Sequence, residues 1–119
     1  MEDGTVRINI ETYPSVPNIK IITIKATIDK VTSVQVNEKV LLIIEKEEVN
    51  IILDLIYLDF LSSVGMMDLA KYLVLMTDKK RLLKLVKPSK PVYDTMAKMG
   101  FAKRFDMYDS IEEALRSFR

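Results

Sequence analysis

The stretch Ile51-Ile-Leu-Asp-Leu-Ile-Tyr-Leu-Asp-Phe-Leu-Ser-Ser-Val-Gly65 decides the architecture of this chain. Its first five residues, Ile51 to Leu55, form a short and nearly continuous apolar run, the pattern of a central strand buried on both faces. Ile56 to Leu61 reads as a strand-loop passage. The hydroxyl pair Ser62 and Ser63 then stands before a long helical stretch that ends near Thr77, which marks a helix N-terminus.

The flanks repeat this alternation. Upstream, Val6, Ile8 and Ile10 alternate with Arg7, Asn9 and Glu11, a period of two that predicts a strand exposed on one face. Pro14 and Pro17 break the chain, Ile19 to Lys25 is a second β-branched run, and Ala26-Thr-Ile-Asp29 leads into a helix over Thr32 to Lys46 with Val36, Val40, Ile43 and Ile44 on its buried stripe. Downstream, Arg81 to Val86 predicts a fourth strand, Ser89 a cap for a helix carrying Val92, Met96 and Met99, and Gly100 its stop. Arg104 to Met107 predicts a fifth strand. Ser110-Ile-Glu-Glu113 has the spacing of a capping box, and Ile111, Ala114, Leu115 and Phe118 give the last helix one apolar face. The order β-β-α-β-α-β-α-β-α implies an α/β layer fold with a mixed, mainly parallel sheet of about five strands and four helices.

Composition bounds the chemistry. The 119 residues suit a single domain, 1–119, and 49% hydrophobic with 29% charged residues favours a packed core over disorder. Eighteen basic against 17 acidic side chains leave a net charge of +1, so no global positive field holds nucleic acid or anionic lipid. With no Cys and no His, disulfides, thiolate nucleophiles, the usual zinc sites and an imidazole base are excluded within the chain, and no metal site is expected. Three glycines do not make a phosphate-binding loop. The start Met1-Glu-Asp-Gly4 has no secretory pattern, and no apolar run reaches the roughly 18 residues of a span, so a cytoplasmic location without membrane insertion is expected.

Sites in such folds gather at the carboxyl ends of parallel strands. At 100° per residue, the helix after Ser62 and Ser63 turns Met66, Leu69, Leu73 and Met76 toward the sheet. Val64, Met67, Asp68, Lys71, Leu75 and Asp78 lie roughly opposite, with Ser63 at their edge. Apolar residues on an outward face beside a Ser suggest a protein-binding patch, although a Ser pair also serves simply as a helix cap. A catalytic reading has to use Asp54 or Asp59 with Lys71 or Tyr57, and a carboxylate bonded to loop amides is the plainer account of Asp54. Lys79, Lys80, Arg81, Lys84 and Lys87 form a basic stretch that reads as a solvated edge, lacking the aromatic interleaving of a nucleic-acid site.

Leu53 to Gly65 resembles the signature of STAS domains, the fold of bacterial anti-sigma-factor antagonists. Ala26-Thr-Ile-Asp29 stands where that family has Gly-x-Leu-Asp, and Met99-Gly-Phe101 through Phe105, Tyr108, Ser110 and Glu113-Ala-Leu115 resembles its C-terminal pattern. About nine-tenths of the chain fits, in order. The resemblance implies a domain that does no chemistry and needs no cofactor. Its phosphorylatable hydroxyl falls on Ser63, with Ser62, where many members have Asp, as second choice. The implied contact surface is Asp29, Thr32, Ser62, Val64, Met67 and Lys71. The implied partners are an anti-sigma factor that is also a serine kinase, which binds the ATP, and a phosphatase that restores the active form. The nearest alternative keeps the fold and makes it a regulatory STAS subunit of a membrane or lipid transporter. A receiver-like signalling domain has similar alternation, but it needs an acidic pair after the first strand and Lys-Pro after the fifth, whereas Lys87-Pro88 here follows the fourth.

Overall fold

A computed structural model describes residues 6–29 and 31–118. The elements in chain order are β1 (Arg7–Tyr13), β2 (Ile19–Ile28), α1 (Thr32–Lys46), β3 (Asn50–Asp54), β4 (Leu58–Leu61), α2 (Ser63–Asp78), β5 (Leu83–Val86), α3 (Lys90–Lys98), β6 (Asp106–Tyr108) and α4 (Ile111–Arg116). The sheet runs β1-β2-β3-β5-β6, and β4 pairs with β2 off this path. β1 is antiparallel to β2, and every other pairing is parallel.

The mixed, mainly parallel α/β fold is the one the alternation predicts, with a sixth strand. The passage before the Ser pair contains β4, four residues that pair with Ala26 to Ile28, beyond the part of β2 that pairs with β3. The last strand also lies later than predicted, because Ala102–Arg104 closes into a 3-10 turn and the strand begins at Asp106.

Two apolar layers flank the sheet. On one face, Ile22, Ile24, Leu53 and Leu85 pack against Val36, Val40 and Ile44 of α1, Met66, Leu69 and Tyr72 of α2, and Val92 and Met96 of α3. On the other, Ile19, Ile21, Ile52 and Val86 meet Ala114 of α4, with Ile111, Leu115 and Phe118 around it. Strand alternation supplies both layers, so β3 is buried on both sides from Ile51 to Asp54.

Local signals end the helices where the sequence places them. Ser89 Oγ accepts from Val92 N–H, and Ser110 Oγ accepts from Glu113 N–H at 3.0 Å. Gly100 adopts φ +79°, which lets Phe101 N–H reach back to the Met96 carbonyl at 2.8 Å and close α3.

Candidate functional site

The site forms where two parallel strands end side by side. Ile28 of β2 pairs with Leu61 of β4, and Ser62 N–H donates to the Ile28 carbonyl at 2.9 Å. The next residues on each chain, Asp29 and Ser62, therefore begin their turns next to one another. Each turn opens a helix, so the starts of α1 and α2 present their positive ends together.

Asp29 caps α1 from outside its first helical turn. Its Oδ1 accepts from Val31 N–H at 2.9 Å and Thr32 N–H at 3.0 Å. Thr32 Oγ1 in return accepts from Asp29 N–H at 2.9 Å and donates to the Thr27 carbonyl at 2.6 Å. This reciprocal pattern is a capping box with Thr in place of Glu. The Thr32 N–H bond, ahead of the Val31 one, holds the Asp29 carboxyl below its usual range.

Ser62 caps α2 with extended backbone, its Oγ accepting from Gly65 N–H at 3.1 Å. Gly65 carries no Cβ because one would stand 2.7 Å from Leu61 Cδ1 and 2.8 Å from Ile28 Cγ2. The helix start is thus seated directly on the ends of β2 and β4. A narrow crevice of about 10 Å³ between α1 and α2, edged by Ser33, Gly65 and Asp68, holds at most one water.

The two serines have different positions. Ser62 is half-buried with its oxygen engaged in the cap, whereas Ser63 is exposed as the first helical residue. Val64 and Met67 are 48% and 54% exposed, and Lys71 one turn on is exposed too. Of the expected contact surface, Asp29, Ser62, Val64, Met67 and Lys71 therefore reach the surface at or near these helix starts. Thr32 requires a correction. It is only 3% exposed and its hydroxyl is consumed by capping, so it shapes the α1 start from beneath.

The α2 stripe also differs in detail. Tyr72 lies fully in the core, three residues on from Leu69, and its hydroxyl donates to Asn37 of α1, while Leu73 and Leu75 are half-buried. Val31, just before α1, and Val34, on its first turn, are further exposed apolar residues at this helix start, and reading α1 as buried on one stripe alone overlooks them. Their signal is their place at the helix start, between Asp29 and Val36.

Among the described residues no ion pair joins Asp54 or Asp59 to Lys71. Asp54 Oδ1 accepts from Ile56 N–H at 3.3 Å and Oδ2 from the Thr23 hydroxyl at 3.1 Å, the bonded carboxylate expected of it. Among the described residues no cluster of carboxylates suits a metal ion. The basic stretch loses one member to the interior. Arg81 pairs with Glu48, while Lys84 is buried in central β5, within 4.7 Å of the Phe118 ring and 5.1 Å of the Tyr108 ring. Lys79, Lys80 and Lys87 are exposed, as a solvated edge requires, and Lys84 alone departs from that expectation. No helix among the described residues is long and apolar enough to cross a membrane.

Fold and site together define a small α/β domain that offers a capped, hydroxyl-bearing helix start on its surface. The chain belongs to the STAS domain family, which it matches over residues 7–114. A search of curated proteins gives no match. Among solved structures it is similar to an anti-sigma factor antagonist from Mycobacterium paratuberculosis, with 18% identity, TM-score 0.81, and 98% of this chain and 96% of that chain covered. It is also similar to the anti-sigma factor antagonist SpoIIAA in its unphosphorylated form, at 19% identity and TM-score 0.76 over 93% of this chain and 96% of that one. SpoIIAA of Bacillus has also been solved in a phosphorylated form, to which the likeness is 18% at TM-score 0.69, over 93% of this chain and all of that one. The murine anion transporter Slc26a9 shares the fold at 22% identity and TM-score 0.72, over 82% of this chain but 17% of the transporter.

Proposed function

We propose that this STAS domain is an anti-sigma-factor antagonist whose binding is switched by phosphorylation of Ser63. The observation that carries the reading is the exposure of Ser63 at the first position of α2, beside exposed Val64 and Met67. In the unphosphorylated form this surface binds an anti-sigma factor that is also a serine kinase, and a sigma factor is freed. The domain itself does no chemistry. The kinase supplies the ATP, and a phosphatase returns Ser63 to its hydroxyl form in the cytoplasm.

The switch has a simple electrostatic basis. A phosphoryl group adds about −1.5 to −2 charges at pH 7, which the positive end of α2 tolerates. A partner packed on Val64, Met67 and Lys71 instead meets a hydrated dianion in a desolvated contact. A loss of about 3 kcal/mol there weakens binding more than a hundredfold. The similarity to a protein solved in both unphosphorylated and phosphorylated forms supports this reading.

The likeness to part of an anion transporter supports a second reading, a regulatory STAS subunit of a membrane or lipid transporter. One experiment separates them: capture from native cytoplasm and membranes with wild type and Ser63→Glu, followed by mass spectrometry of partner and phosphosite. Recovery of a kinase-type anti-sigma factor by wild type alone is the expected result. Equal recovery by both forms, or phosphate found only away from Ser62 and Ser63, overturns the switch, and recovery of a transporter subunit selects the second reading.

A further inference from the structure

β1 is an outer strand of the sheet, seven residues long and, among the described residues, paired on one side only, with β2. Such an edge presents a row of backbone donors and acceptors that invites another strand. Its outward side chains carry an unusual order. Arg7, Asn9 and Glu11 share one face of the sheet, and Ile8 and Ile10 share the other. Among the described residues neither Arg7 nor Glu11 has an ion-pair partner. Arg7 instead lies opposite Lys25 of β2, a like-charged neighbour that a carboxylate on the outer side would offset.

We propose that β1 pairs antiparallel with β1 of a second copy, about a two-fold axis through Asn9. In that register Arg7 faces Glu11 of the second copy and Glu11 faces its Arg7, while Ile8 and Ile10 face each other twice on the opposite side. Shifting the register by two residues in either direction loses both charge pairs. Arg7 then meets Tyr13 in one direction and Asn9 in the other. The charges thus select one alignment among those that the backbone allows.

The apolar side of β1 leaves surface for a second strand to cover. Ile10 is 40% exposed although its face points toward the helices, and an open cleft of about 210 Å³ runs beside β1, lined by Val6, Ile8, Gln35 and Lys39. Pairing here covers Ile10 and joins the two sheets into one continuous sheet, with the self-complementary contacts a two-fold interface requires. It uses none of the α2 residues, so it is independent of the Ser63 switch.

Charge reversal tests both the dimer and its register. Sedimentation velocity across a range up to roughly millimolar chain is expected to show a monomer-dimer equilibrium for the wild type. Arg7→Glu and Glu11→Arg each replace two opposite-charge pairs by two like-charge pairs, and each is expected to raise the dissociation constant about tenfold or more. The double exchange Arg7→Glu with Glu11→Arg restores the pairs and is expected to restore the dimer. Circular dichroism checks that all four proteins share one fold. A wild type that stays monomeric throughout, single variants that dimerise as well as wild type, or a double variant as weak as the singles overturns the proposal.

Discussion

Ser63 is exposed at a helix start that its neighbours hold in place. The contacts a methyl group would make at Gly65 involve Ile28 and Leu61, 3% and 1% exposed, and Ile28 is β-branched with little freedom to turn aside. Gly65→Ala therefore has to lift the first turn of α2 from the strand ends. The gain in helix propensity, at most about 1 kcal/mol, opposes an overpacking cost of about 1–3 kcal/mol. The expected outcome is a net loss of up to about 2 kcal/mol, read from the denaturant midpoint at unchanged slope, and a midpoint above wild type contradicts it. Lys84 shows the limit of reading residues singly. As a letter it joined a basic run, yet its place in β5 turns it toward Tyr108 and Phe118, its Nζ 3.3 Å from the Tyr108 hydroxyl and 3.8 Å from Asp106. Only the packing of α4 over that strand makes the lysine a core residue, and no local spacing announces it.

Helices were legible because their signals are local. Ser62, Ser89 and Ser110 each cap the helix they precede, and the stripes of α1 and α4 follow from a 3.6-residue period. The same logic separates the two serines of the site by experiment. Ser62→Ala removes the acceptor for Gly65 N–H and is expected to cost about 1 kcal/mol, whereas Ser63→Ala, at an exposed first position, is expected to change stability by less than about 0.5 kcal/mol. Equal losses from the two would mean that the cap is shared and would weaken the assignment of Ser63 as the free hydroxyl. β4 was less legible, since its partner is the far end of β2, thirty-odd residues earlier in the chain, and Leu58-Asp-Phe-Leu61 has no clean alternation. That missed strand matters for the candidate site. It is what places Ser62 beside Asp29 and so brings two helix starts into one surface.

At the scale of the whole molecule, alternation yielded the layers but not the order of the sheet, because strand order is settled by long-range pairing that no window of sequence contains. The contact between α1 and α2 is of this kind. Tyr72 and Asn37 are thirty-five residues apart, yet the phenol of α2 donates to the Asn37 carbonyl oxygen inside the helix pair that carries the site. Burial, reinforced by the charge of Asp68, pushes the Tyr72 phenol well above its ordinary value of 10.0. The sign of the consequence is fixed by proton counting. Below pH 10 the phenol is protonated in both folded and unfolded chains and adds no slope. Above it the unfolded chain releases the proton while the folded chain keeps it, so stability falls with rising pH, by at most about 1.4 kcal/mol per pH unit from this group. Tyr72→Phe has no such slope, but leaves the Asn37 oxygen without its donor at a cost of about 1–2 kcal/mol near neutral pH. Every other titrating group is common to the two proteins. Urea midpoints measured from pH 7 to roughly pH 11 are therefore expected to show a variant that starts less stable and converges on wild type above pH 10. Curves that stay parallel across that range would mean that Tyr72 ionises in the folded chain as it does in the unfolded one, and that the bond joining α1 to α2 is not a protected one.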